Sequence, residues 1–186
     1  MPEVIFEPNS DIYTVDWGKT GGGLYYAHLN YDGDGKFIYT THQSAQWRDI
    51  RFGIDMTGFD GTGKSINFVQ VHFRCGGLQG THVQAILRCA YFGDPPWFTA
   101  YGSSRDVTES YVDYNEIWTL SPITGNPWQW IDIALVQIGI SGYPVLWFNE
   151  EEQIWEWAGP MCSRMKLLVN YNDWLTPPPE LSGFLF

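Results

Sequence analysis

Gly58-Phe59-Asp60-Gly61-Thr62-Gly63-Lys64-Ser65 spells the phosphate-loop pattern GxxxxGK[ST] letter for letter. In a working phosphate site the glycines let successive amides face the phosphates, the lysine reaches the terminal phosphates, and the hydroxyl holds magnesium. A following helix must complete the anion site with its N-terminal amides. Here the next residues are Ile66-Asn67-Phe68-Val69-Gln70-Val71-His72-Phe73, whose alternation predicts a strand. No βαβ pattern follows, and no later apolar strand ends in a magnesium-binding aspartate. The octapeptide therefore reads as a loop between two strands, without nucleotide chemistry.

Other chemistry-bearing residues are equally scattered. Asp32 and Asp34 alternate with glycines, as a hard cation would want, but the remaining oxygen ligands and the distal Glu of a helix-loop-helix site are missing. Asp-Gly pairs are ordinary hairpin turns; calcium at this pair is left open and no metal or cofactor is assigned. His28, His42, His72 and His82 show no metal-ligand spacing, and His72 and His82 are expected to face each other only as polar residues across a hairpin. Glu109, Asp113 and Glu116 invite comparison with the paired carboxylates of glycosidases. Period two puts Glu109 and Asp113 on one strand face and Glu116 on the other, so no catalytic set forms and no enzyme activity is expected. Cys75, Cys89 and Cys162 are odd in number and include no CxxC pair, which argues against a disulfide framework or zinc site. Cys75 and Cys89 read as buried free thiols.

The elements around these residues are short. With 20 Gly and 11 Pro, the chain is broken every ten to fifteen residues, and the segments between are rich in Val, Ile, Tyr, Phe and Trp. Strands are expected at 11–17, 23–29, 36–41, 47–55, 65–75, 81–92, 106–118, 134–140, 143–148 and 161–171. In the clearest, Val69, Val71 and Phe73 share one face while Gln70, His72 and Arg74 share the other. Residues 81–89 repeat the pattern, and Gly76 to Gly80 reads as the hairpin between them. The expected fold class is all-β: an antiparallel β-sandwich, jelly-roll or lectin-like, with extended N- and C-terminal segments.

Length and charge bound the rest. A chain of 186 residues holds a real core without staples. The net charge is -11, and residues 94–186 carry twelve acidic side chains against three basic ones. Binding of nucleic-acid phosphates is thereby disfavoured. No basic leader with an apolar run and no long apolar stretch is present, so neither a signal peptide nor membrane insertion is expected. Glu150-Glu151-Glu152 reads as a solvated turn leading into an amphipathic piece.

Residues 1–174 are expected to form one sandwich domain and 175–186 a proline-led tail. Pro177, Pro178 and Pro179 enforce an extended segment, which can present Leu181, Phe184, Leu185 and Phe186 to a neighbouring subunit; packing back on the same domain is the alternative. Among ten tryptophans, Trp17, Trp47, Trp118, Trp130 and Trp147 sit in or beside strand-like runs. Trp97 and Trp174 lie beside prolines and read as loop anchors that could contact a glycan or a partner.

Residues 106–118, followed by Pro122-Ile123-Thr124-Gly125-Asn126-Pro127-Trp128-Gln129-Trp130-Ile131-Asp132 and a strand running to Gly139-Ile140, carry a resemblance. The segment looks like one recurrent in tailed-phage and prophage virion structural proteins with lectin-like sandwich domains. It covers about residues 45–171. In it Trp118 ends the long strand, Asp132 would cap a turn, Trp128 and Trp130 would plug one open end of the sandwich, and Gly139 would permit close strand approach. The resemblance implies a non-enzymatic virion component, in capsid decoration or in a tail, neck or baseplate. Its partners would be copies of itself and other virion proteins. The rival expectation is a carbohydrate-binding or host-attachment module.

Overall fold

The computed structural model describes residues 2–29, 35–41, 43–90 and 97–173, positions 90 and 97 by their backbone alone. The fold is all-β, two six-stranded antiparallel sheets packed on each other. Sheet A runs in the order β10 (Val112–Trp118), β6 (Lys64–Gly76), β14 (Met161–Asp173), β4 (Ile38–Thr40), β3 (Trp17–Lys19), with β1 (Glu3–Phe6) also paired to β14. Sheet B runs β2 (Pro8–Tyr13), β5 (Arg48–Ile54), β11 (Val136–Tyr143), β7 (His82–Ala90), β8 (Trp97–Tyr101), with β9 (Arg105–Asp106) also on β7. A separate hairpin joins β12 (Val145–Asn149) to β13 (Ile154–Ala158). Helix among the described residues is confined to α1 (Tyr26–Leu29) and α2 (Trp130–Ala134).

Period-two alternation builds the core. From sheet A, Val69, Val71 and Phe73 of β6 and Met165, Leu167 and Val169 of β14 point inward; from sheet B, so do Ile50, Phe52, Val83, Leu87, Ile138 and Ile140. All are essentially inaccessible to solvent. Burying each such side chain stabilises the fold by about 1.5–3 kcal/mol before entropy costs.

Several sequence-based expectations need correction; residues 106–118, for one, are not a single strand, since β9 ends at Asp106 in sheet B and β10 begins at Val112 in sheet A. Gly76 to Gly80 is not a hairpin turn: β6 lies in sheet A and β7 in sheet B, so the chain crosses there from one layer to the other. The amphipathic alternation of two consecutive strands is the same whether they share a sheet or face each other, which is why periodicity did not separate the cases. Residues 23–29 are not a strand. The Asp11 carboxylate accepts the N–H groups of Tyr25 (2.9 Å) and Tyr26 (2.8 Å), so a side chain fourteen residues upstream starts α1 instead. The extended N-terminal segment is built into the sandwich: β1 joins sheet A and β2 joins sheet B.

A further correction concerns the thiols. Cys75 and Cys162 stand directly opposite in β6 and β14 and form a disulfide across 87 residues of chain, while Cys89 stays free and buried. Their distance in sequence hid a pairing that the register of sheet A makes inevitable.

Candidate functional site

The phosphate-loop lookalike joins β5 to β6 at one end of the sandwich, and each motif residue has a local job there. Gly58 and Gly63 adopt positive φ. Asp60 Oδ1 accepts the Thr62 N–H at 2.8 Å. A side chain at Gly61 would meet the Trp130 indole at 2.5 Å. Lys64 opens β6, lies 3.5 Å from the Asp173 carboxylate, and sits near the Tyr171 ring. The segment after the motif is a thirteen-residue strand, so the helix that phosphate chemistry needs is replaced by sheet.

The same end holds the residues of the P-x-T-G-x-x-W stretch. Trp128 is buried and its Nε1–H donates to the Trp118 carbonyl at 2.8 Å. Trp130 donates to the Lys64 carbonyl at 2.9 Å and packs against Phe59 and Tyr171, with Phe6 on the far side of Phe59. Asp132 Oδ2 accepts the Gln129 N–H at 3.0 Å, capping α2. These groups close one end of the core.

The acid and imidazole candidates stay apart. Asp113 faces outward from sheet A beside Arg74 (2.9 Å) and His72 (3.5 Å). Glu116 stands on the other face of β10, held by Arg105 and Ser103, both at 3.2 Å. Glu109 lies before β10. His72 and His82 lie in different sheets, His82 paired with Asp106 at 2.8 Å. Burial holds His72 below its ordinary pKa despite the Asp113 charge. No cluster of metal-ligating side chains occurs among the described residues. Asp32, Asp34, Trp174 and the tail from Pro177 to Phe186 lie outside the described residues, as does the Trp97 side chain.

Two other features stand out. The first is a groove of about 460 Å³ on the outer face of sheet B, bordered by Tyr13, Val15, Asp16, Trp47, Arg48, Asp49, Arg51, Gln84 and Tyr101. Because Ile50 and Phe52 point into the core, Asp49 and Arg51 must point out. Asp49 accepts hydrogen bonds from Ser141 Oγ (2.7 Å) and Tyr101 OH (2.9 Å). Burial, with the Asp49 carboxylate beside it, pushes the Tyr101 hydroxyl up to about 12. Arg51 is only 9% exposed; its guanidinium lies over the Tyr13 ring at 4.5 Å, and its Nε has no hydrogen-bond partner.

The second is the β12–β13 hairpin. Phe148 pairs with Trp155 across the strands, rings 5.3 Å apart, and Leu146 pairs with Trp157. Leu146, Phe148, Ile154 and Trp155 are 48, 37, 45 and 66% exposed. At the tip Asn149 Oδ1 accepts the N–H groups of Glu151 and Glu152, so the acidic run is a turn. Between hairpin and sandwich runs a groove of about 1330 Å³ walled by Phe37, Tyr39, Trp147, Trp155 and Trp157. No family model matches the chain, and no curated protein matches it. Function therefore has to be argued from these surfaces.

Sequence reading missed both. The alternation Asp49-Ile50-Arg51-Phe52 was a usable signal for the outer-face groove, since it sets two opposite charges on one face of a strand whose other face is apolar. For the hairpin the signal was weaker: Ile154-Trp155-Glu156-Trp157 looks amphipathic, and only its pairing with β12 shows how much of it faces water.

Proposed function

We propose that the protein is a non-enzymatic structural component of a virus particle, working through protein–protein assembly. The observation that carries this reading is the β12–β13 hairpin. An isolated two-stranded hairpin is marginal in water, yet this one pairs with neither main sheet and turns Leu146, Phe148 and Trp155 outward on one face. Such a patch is characteristic of a surface that a partner covers. Its acidic tip gives the partner's rim a sign: basic. A buried cross-strand disulfide suits a protein that works in oxidising surroundings, as a released particle does. The resemblance over residues 45–171 supports the same reading, as does the tail from Pro177 to Phe186 as a second bridging element.

The test is sedimentation of the whole chain alongside the double variant Phe148→Ser, Trp155→Ser. Assembly through the hairpin requires the variant to keep the wild-type melting temperature while losing self-association or incorporation into particles. Unchanged assembly by the folded variant would refute the reading.

A further inference from the structure

Arg51 poses a physical problem that assembly through the hairpin does not solve. An arginine that is only 9% exposed and buries its Nε normally faces a carboxylate, because a buried charge without a counter-ion is expensive. Arg51 has no ion pair or hydrogen bond to any described residue; its guanidinium lies over the Tyr13 ring. The nearest acid on its own strand face, Asp49, is committed to Ser141 and Tyr101. Arg48, the other arginine of the groove, is held by Asp16 and by the Gln46 side chain. In a chain of net charge -11, an arginine kept without an acid is a position prepared for an external one.

The surroundings narrow the chemistry of that anion. Trp47 and Tyr101 border the groove with rings 37 and 50% exposed, flat faces suited to the C–H surface of a pyranose. Asp49 and Gln84 line the same groove and can accept and donate hydrogen bonds to hydroxyls. The Asp49 charge disfavours a doubly charged phosphate more than a singly charged carboxylate, while sugar hydroxyls can donate to it. The volume lies within the span of small-molecule sites.

We propose that the outer-face groove of sheet B binds a carboxylate-bearing sugar, a uronic or sialic acid residue of a glycan, with Arg51 receiving the carboxylate and Trp47 and Tyr101 flanking the ring. The site is separate from the hairpin, so a particle protein could use both, one for assembly and one for attachment to a glycan surface.

Calorimetric titration of the whole chain tests this, with glucuronate oligosaccharides and sialyllactose as probes, and lactose and inorganic phosphate as controls. At least one acidic saccharide is expected to bind, with lactose and phosphate bound at least about tenfold more weakly, the scale of one lost charge-assisted contact. Arg51→Met should weaken the acidic sugar by a similar factor. Should that variant fold poorly, Trp47→Ala, at the rim, should weaken the sugar without touching Arg51. No binding of either acidic saccharide, equal binding of phosphate, or affinity unchanged in both variants would overturn the proposal.

Discussion

Gly139 and Arg51 stand opposite each other on β11 and β5, and the missing side chain at Gly139 is what gives Arg51 its course across the sheet. A methyl group at Gly139 would meet the Arg51 Cγ at 3.0 Å and collide with the Ile50 carbonyl oxygen. Gly139 thus also shapes the outer-face groove.

Gly139→Ala is accordingly expected to cost about 1–3 kcal/mol, as overpacking does. Denaturant unfolding measures it. A neutral effect would mean that β5 and β11 separate more easily than their register implies.

The disulfide makes a redox prediction. Closing 87 residues between Cys75 and Cys162 stabilises by about 4–5 kcal/mol on the loop-entropy relation. Cys75→Ser with Cys162→Ser should lower stability on that scale. Thiol titration in denaturant should find one reactive cysteine in the oxidised protein and three after reduction. In the native state Cys89 should stay silent, because burial pushes its thiol up to about 12.

Much of the fold was legible because its strands alternate. Val69, Val71 and Phe73 on one face and His72 and Arg74 on the other demanded a half-buried strand, and β6 is one. What alternation does not carry is partnership. It could not tell that β7 belongs to the opposite sheet, that Cys162 lies across from Cys75, or that Asp11 reaches α1. Nor did it expose β8 and β13, short segments of which one follows two prolines and the other an acidic turn. The groove residues come from β2, β5, β7 and β8 and the segments flanking them, so only the sheet order assembles them.

At Tyr101, spectrophotometric titration should reveal a phenol ionising near 12 that Tyr101→Phe removes. Its folded pKa is raised above the ordinary 10, so the unfolded chain loses this proton first as pH rises. The stability it contributes is therefore full below about pH 10 and is lost as pH climbs towards 12. The phenylalanine variant should show a shallower alkaline decline. An identical decline would place the Tyr101 hydroxyl in water.

In the phosphate-loop lookalike, Lys64→Ala should change stability by less than about 1 kcal/mol, the range of partly exposed ion pairs. Trp130→Ala should cost about 3 kcal/mol, since it removes the indole that packs on Gly61, Phe59 and Tyr171. Calorimetry with ATP or GTP and magnesium should show no binding in either protein. A micromolar affinity abolished by Lys64→Ala would restore a nucleotide role.

The central claim is that the β12–β13 hairpin is a contact surface within a particle, and electron cryomicroscopy of particles containing this chain tests it most directly. The account predicts density from a neighbouring subunit over Leu146, Phe148 and Trp155, with the Trp155 ring covered. A map that leaves the hairpin facing solvent while the chain is held by other surfaces would contradict it.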